Sequence, residues 1–125
     1  MKQITGGVTA AKGFEAAGVE AAVKYQNRKD MALVYSAVPC RAAGTFTSNV
    51  VKAAPVLWDR NIVEHSPYAQ AVVVNSGVAN ACTGKQGMDC CKAEAECLSG
   101  LLGIPENAVL VASTGVIGAQ LPLDR

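Results

Sequence analysis

The sequence has no long hydrophobic run and no cluster of basic residues. None of its apolar stretches approaches the ~18 residues that a membrane helix needs. Its 11 basic and 10 acidic residues leave a formal net charge of +1, and their even spread does not mark a nucleic-acid or membrane surface. The first residues also lack the apolar segment of a signal peptide. These absences predict a cytoplasmic protein that binds neither membrane nor nucleic acid.

Cysteine and histidine are too few, and too irregularly spaced, for a metal site. The five cysteines include the adjacent pair Cys90 and Cys91 but no Cys-x-x-Cys motif, and His65 is the single histidine. This pattern predicts reduced thiols that pack as small hydrophobes, with neither a disulfide nor a bound metal ion. No Ser/His/Asp set or carboxylate pair stands out either. A nucleophile is therefore not identifiable in this chain.

What is present indicates one globular α/β domain. The chain has 125 residues, of which 50% are hydrophobic and 17% charged, which is enough for a single core. Alternating or continuous apolar runs predict strands at 18–25, 31–36, 45–49, 71–74 and 109–112, the first two forming a hairpin. Helical spacing predicts helices at 55–63 and 88–102. In the first of these helices we expect Trp58 to pack and Asp59 to face solvent.

Polar segments follow the last two predicted strands. One begins Asn75-Ser76-Gly77, and the other reads Ser113-Thr114-Gly115. If the two strands pair in parallel around the intervening helix, both segments lie at the same sheet edge, where α/β proteins place their sites. The hydroxyl and backbone N–H groups of a Ser-Thr-Gly turn are suited to stabilising an oxyanion, although Ser, Thr and Gly are also common in ordinary turns.

Two function classes fit these residues, and a purely structural subunit is a third possibility. One is an enzyme that uses the Ser-Thr-Gly segment to bind an oxyanion. The other is a phosphate- or nucleotide-binding module that uses the loop from Gly77 to Gln86. That loop joins a strand to a helix and contains Gly84-Lys85, but it is two residues longer than a phosphate loop. It also has Gln86 where Ser or Thr would hold magnesium.

Several blocks of the chain, in order and over nearly its whole length, resemble the bifunctional ornithine acetyltransferase/N-acetylglutamate synthase family of arginine biosynthesis. The blocks are GGVTAAKGF at 6–14, AAGV at 16–19, DMALV at 30–34, AAGTFTSN at 42–49, AAPV at 53–56, NSGVANACTG at 75–84, VLVASTGVIG at 109–118 and QLP at 120–122. Each block is weakly specific alone, whereas together they are highly specific.

The resemblance implies a fold, a reaction and a partner. Residues 1–125 would be the N-terminal part of an α chain, in a layered α/β sandwich with a mixed sheet that a second chain completes. In the family a precursor cuts itself before a threonine, which becomes the N-terminal nucleophile of the β chain. That threonine carries acetyl from N-acetylornithine to glutamate. Acetyl-CoA is a second candidate donor, no other cofactor is implied, and the assembly would be α2β2.

The resemblance also assigns a role to the Ser-Thr-Gly segment. The family's oxyanion pair corresponds to Thr114, which would donate its hydroxyl, and Gly115, which would donate its backbone N–H. No Ala-Thr cleavage junction occurs in these 125 residues. The nucleophile and most substrate-binding residues are therefore expected to lie on another chain or to be missing.

Overall fold

The computed structural model of the chain describes residues 3–124, so Met1, Lys2 and Arg125, at the limits of the predicted domain, lie outside the described residues. One mixed sheet has the strand order β1-β2-β3-β4, in which β1, β2 and β3 are antiparallel neighbours and β3 and β4 are parallel. The elements are β1 (Phe14–Val19), β2 (Met31–Cys40), α1 (Ala54–His65), β3 (Ala69–Val78), α2 (Gly84–Leu102) and β4 (Val109–Val116), with short 3-10 turns at Val8–Ala10 and Glu106–Ala108. The predicted α/β class is confirmed.

Both helices pack on one face of the sheet, over β3 and β4. The α2 residues Met88, Cys91, Ala95, Leu98 and Leu102 share a face at helical spacing and belong to the core, as predicted. Gly103 then ends the helix in the left-handed conformation, with φ +66°. No helix in the part of the chain that the structure describes is long and apolar enough to cross a membrane. The buried core comprises Ala54, Ala71, Val73, Cys91, Ala95, Ile104, Val109 and Val111.

The first strand lies earlier than predicted, and the prediction of a strand at 18–25 was wrong. The period-two pattern is present, but the buried carboxylate of Asp30 accepts hydrogen bonds from the backbone N–H groups of Ala21 (2.8 Å) and Val23 (2.7 Å). These N–H groups are therefore satisfied by a side chain rather than by a neighbouring strand. The hairpin partner is Phe14–Val19, and residues 20–30 form a long connection instead of a tight turn.

The predicted strand at 45–49 was also wrong, because this segment is irregular. Its β-type residues are used in local turns. The Thr47 hydroxyl accepts a hydrogen bond from the Asn49 N–H (3.1 Å), and Asn49 Oδ1 accepts one from the Val51 N–H (3.0 Å). Short polar side chains thus bind the backbone that a strand would have used for its ladder.

The outer edge of β4 is partly covered by side chains of α1. The indole N–H of Trp58 donates to the Val109 carbonyl (2.9 Å), and Asp59 Oδ1 accepts from the Val111 N–H (2.8 Å). The prediction that Trp58 packs is confirmed, since this half-buried ring lies against the core. The prediction that Asp59 faces solvent was wrong, because Asp59 caps an edge N–H that would otherwise lack a partner.

Candidate active site

Parallel pairing of β3 and β4 aligns the two polar segments that the sequence singled out. Asn75 is paired with Ser113, Ser76 with Thr114, and Gly77 with Gly115. The predicted juxtaposition is therefore confirmed. The predicted strand ends at 74 and 112 were wrong, because β3 continues to Val78 and β4 to Val116. The polar residues are therefore the last paired residues of β3 and β4, and they do not form separate turns.

The side chains of these paired residues alternate between the two faces of the sheet. Val111, two residues before Ser113, is part of the core beneath the helices, so Ser113 also lies on the helix side. Thr114 therefore lies on the opposite face, beside Ser76 in the register. Because Thr114 is exposed and neither helix packs on that face, its hydroxyl is accessible.

Gly115 occupies a position that no other residue fits. Its φ is +136°, and a Cβ built there would lie 2.2 Å from the carbonyl carbon of Gly77. Gly77 itself has φ +120°, and its Cβ would lie 2.9 Å from Cβ of Lys24. Two glycine backbones thus approach each other at one rung, in conformations that L side chains rarely adopt. This packing fixes the backbone next to Thr114.

From the alternation of backbone groups along β4, we infer that the N–H of Gly115 faces the free edge of the sheet. Val109 and Val111 turn their polar backbone groups outward, toward Trp58 and Asp59. Because backbone groups alternate along a strand, Ser113 and Gly115 turn theirs to the same edge. The α1 side chains cap only Val109 and Val111. The site thus combines an outward backbone N–H with the exposed hydroxyl of the adjacent threonine, the two kinds of donor that an oxyanion site uses.

A buried aspartate, which the sequence reading did not single out, holds the opposite side of the site. Asp30 is 4% exposed, and its backbone carbonyl accepts a hydrogen bond from the Ser76 N–H (2.8 Å). Burial alone would raise the pKa of its carboxyl, but backbone N–H groups from Ala21 to Lys24 hold that pKa below its ordinary value. The ionised Asp30 therefore fixes the 20–30 connection against β3. An Asp at the start of a strand, after a polar turn, is the signal that could have indicated this.

Two buried polar atoms near the same rungs lack hydrogen-bond partners among the described residues. They are Oδ1 of Asn75 and Oγ of Ser113. Asn75 uses its Nδ2 to donate to the Val78 carbonyl (2.9 Å). Buried polar atoms without partners cost ~1–3 kcal/mol each. Because Asn75 and Ser113 are paired and Ser113 lies on the helix side, both atoms are on the face opposite the Thr114 side chain.

Other candidates from the sequence are not brought into this arrangement. His65 lies at the end of α1, where its ring is within hydrogen-bond distance of the Asn61 carbonyl (2.9 Å). All five cysteines are free thiols, with Cys90 and Cys91 buried. Burial raises the pKa of Cys91 to about 12, so it stays a neutral thiol. Among residues 3–124, no three His, Cys, Asp or Glu side chains are grouped in a way that could hold a metal ion.

The geometry does not favour the nucleotide-binding alternative. Gly77 lies within β3, and only residues 79–83 separate that strand from α2, which begins at Gly84. The ammonium of Lys85 is 2.7 Å from the carboxylate of Asp89 on the surface of α2. Lys85 is thus engaged one turn along the helix rather than turned toward the preceding loop, as a phosphate-binding lysine would be.

Comparison with known proteins agrees with the fold and the residue blocks. The ArgJ family model matches residues 15–125. The arginine biosynthesis bifunctional proteins ArgJ of Thermotoga neapolitana and Gloeobacter violaceus are 53% and 49% identical to this chain over 115 and 122 residues, respectively. These matches cover 91% and 98% of this chain. The chain spans about three-tenths of the length of these curated relatives, 29% and 30%.

Solved structures show the same fold. The arginine biosynthesis bifunctional protein ArgJ of Bacillus halodurans superposes with a TM-score of 0.86 at 43% identity, covering 95% of this chain and 62% of the other. An ornithine acetyltransferase of Mycobacterium tuberculosis, solved with ornithine, superposes with a TM-score of 0.83 at 46% identity, covering 94% and 64%. The molecule is thus an α/β protein with a donor-rich sheet edge. The chain belongs to the ArgJ family.

Proposed function

We propose that this chain provides the oxyanion-binding part of an enzyme that moves acetyl from N-acetylornithine to glutamate. The observation that carries the proposal is the exposed Thr114 side chain next to Gly115 at the end of β4, where strand alternation places the Gly115 N–H at the free edge. Membership of the ArgJ family supports the reaction class, as does the likeness to an ornithine acetyltransferase.

In this scheme the nucleophile is the N-terminal threonine of a complementary β chain. Its hydroxyl oxygen attacks the acetyl carbonyl of N-acetylornithine, and the carbonyl oxygen becomes an oxyanion that Thr114 and Gly115 stabilise. The C–N bond then breaks, the ornithine amine leaves with a proton, and an acetyl-threonine ester remains. The amine of glutamate attacks that ester through a second oxyanion, which releases N-acetylglutamate and restores the threonine hydroxyl. The self-cleavage that generates the β chain passes through an oxyanion as well and would use the same donors.

The face of the sheet opposite the helices, which is only half-buried, supports the need for a partner. On the face opposite the helices, six small or branched apolar side chains are half-buried in the described residues: Ala32, Val34, Val72, Val74, Leu110 and Ala112. Sheets bury such faces against a second layer. We therefore propose that the complementary chain packs on this face in a layered sandwich, and that two copies of each chain assemble as α2β2.

An assay of acetyl transfer tests this function. Residues 1–125 alone should transfer no acetyl group from N-acetylornithine to glutamate, whereas the complete enzyme should do so. Transfer by the purified chain alone would contradict the proposal, because it would require a nucleophile within these residues. Replacing N-acetylornithine by acetyl-CoA in the same assay separates a bifunctional from a monofunctional enzyme.

The cytoplasmic location and the absence of a metal ion or further cofactor stay predictions. For the nucleotide-binding alternative, ATP with magnesium would bind the folded chain and raise its melting temperature with concentration. We expect no such rise.

A further inference from the structure

The connection between β3 and α2 lies directly against the segment that follows Gly115. The Ala79 N–H donates to the Val116 carbonyl (2.9 Å), and the Gly118 N–H donates to the Ala81 carbonyl (2.8 Å). These two bonds continue the pairing of the two strands beyond Gly115. The position of residues 79–81 therefore sets the position of the backbone that follows the oxyanion site.

The buried side chain of Asn80 bonds this connection to the first turn of α2. Asn80 has 0% of its surface exposed and a φ of +47°, a conformation that Asn tolerates better than most residues. Its Nδ2 donates to the Gly87 carbonyl (2.9 Å), and its Oδ1 accepts from the Thr83 hydroxyl (2.7 Å). Its backbone carbonyl accepts from the Ala54 N–H at the start of α1 (3.2 Å). Asn80 thus joins the beginnings of both helices to the connection.

The Asn80 amide is closely packed against the first turn of α2. A Cβ at Gly87 would lie 2.5 Å from Asn80 Oδ1 and 2.0 Å from the Thr83 hydroxyl oxygen. The first turn of α2 can approach this closely only because Gly87 lacks a side chain. A substitution at Asn80 that removed its amide donor would leave the Gly87 carbonyl without this bond, and one that removed its acceptor would leave the Thr83 hydroxyl without this bond. The amide is therefore held in one orientation.

We infer that Asn80 is a positioning residue for the oxyanion site. By fixing residues 79–81, it fixes Val116 and Gly118, and through them the outward N–H of Gly115. Because Asn80 is fully buried, we assign it a positioning role and not a catalytic one. This inference rests on the proposed function, since it concerns the geometry of a donor that acts in that reaction. A donor displaced by about 1 Å can reduce the rate of a reaction by up to ~10²-fold.

Kinetics of the complete enzyme test this role. Asn80→Ala should lower kcat by ~10- to 100-fold with little change in KM. The matched control is Ile62→Ala, a core substitution in α1, where Ile62 is 3% exposed. It should lower the melting temperature while leaving kcat near that of the wild type. Equal kcat values for Asn80→Ala and Ile62→Ala would overturn the inference.

Two milder substitutions, both at Thr83, test the same inference if Asn80→Ala does not fold. Thr83→Val removes the hydroxyl that orients the Asn80 amide and keeps the shape of the side chain, whereas Thr83→Ser keeps the hydroxyl. We expect Thr83→Val to lower kcat by several-fold and Thr83→Ser to retain most of it. A normal kcat in Thr83→Val, or an equal loss in both variants, would overturn the inference.

Amide hydrogen exchange separates this inference from the proposed function. In Asn80→Ala or Thr83→Val, the Gly118 amide should exchange faster relative to the core amide of Val73, whereas Ile62→Ala should speed both together. An unchanged Gly118-to-Val73 ratio would refute the positioning role. If Thr114→Ala has normal kcat, the proposed function fails. If Thr114→Ala loses rate and Asn80→Ala behaves like Ile62→Ala, only this inference fails.

Discussion

The outer edge of β4 is treated differently at its two ends. At the Val109–Val111 end, Trp58 and Asp59 from α1 satisfy the outward carbonyl and N–H groups. At the Ser113–Gly115 end, α1 offers no such cap, and the outward groups lie beside the exposed hydroxyl of Thr114. Edge strands normally have their unpaired backbone groups covered or blocked. An edge that is capped along one half and open along the other is consistent with the proposal that the open half binds a ligand or another chain.

The two ends also depend on different kinds of residue. The capped end relies on side chains, which can be shortened or neutralised while the strand remains in place. The open end relies on two glycine backbones that touch, where any side chain would collide. Substitutions at the open end should therefore affect both structure and reaction, and those at the capped end stability alone.

Gly115→Ala should have the largest effect on stability. The new Cβ would lie 2.2 Å from a backbone carbon, and the residue would keep an unfavourable φ of +136°, so β3 and β4 must separate. We expect a loss of about 4 kcal/mol or more in the free energy of unfolding, measured by denaturant titration. Gly100→Ala is the control, because nothing lies within 4 Å of its Cβ position and an Ala in α2 should stabilise it by up to ~1 kcal/mol. Similar stabilities for the two variants would show that the glycine contact is not needed.

The carboxyl at the capped end should make stability depend on pH. Burial raises the pKa of Asp59 from 3.8 to about 6, and the Val111 N–H offsets this only in part. Because the folded pKa is the higher one, the stabilisation is complete below pH 3.8 and is lost as the pH rises through 6. We expect the free energy of unfolding to fall by about 2 kcal/mol between pH 4 and 8, after allowing for the partial exposure of Asp59.

Asp59→Asn should remove that component, since an amide oxygen still accepts from Val111 but does not titrate. Burial also raises the pKa of Glu94 to about 7, so the measurement is made in a Glu94→Gln background. Asp89→Asn, on the exposed side of α2, is the control that should leave the pH profile unchanged. If Asp59→Asn leaves the profile unchanged as well, Asp59 is not the titrating cap.

Trp58→Phe should have the smallest effect. It keeps most of the ring packing and removes the indole donor to Val109, which should lower the free energy of unfolding by about 1 kcal/mol. Because Trp58 lies at the capped end, the complete enzyme should keep its normal kcat. Arg60→Gln, an exposed neighbour on α1, should change neither value. A large loss of kcat in Trp58→Phe would show that the two ends are not independent.

The part of the fold that holds the site was largely predictable from the sequence. Apolar runs and helical spacing predicted β3, α2 and β4. The parallel pairing of the two strands was only a condition of the sequence prediction, and the structure meets that condition. The continuation of both strands through Gly77 and Gly115 was not predictable, because it depends on two glycine backbones meeting across the ladder.

The remaining errors share one physical cause. Asp30, Thr47 and Asn49 satisfy backbone N–H groups with side chains, so segments with a strand-like pattern do not form strands. Asp59 does the same for an edge strand 52 residues along the chain. Local sequence patterns show which residues could form a strand. They do not show which backbone N–H groups will be bonded by a side chain instead of by a neighbouring strand.

The turnover rate of Thr114→Ala in the complete, processed enzyme shows whether the open end of β4 stabilises an oxyanion. That negative charge appears only in the transition state. Thr114→Ala should therefore lower kcat by about 10²–10³-fold with little change in KM, whereas Thr114→Ser, which keeps the hydroxyl, should retain much of the rate. A near-normal kcat in a Thr114→Ala enzyme of reduced melting temperature would show that Thr114 serves only the fold and that it does not stabilise an oxyanion.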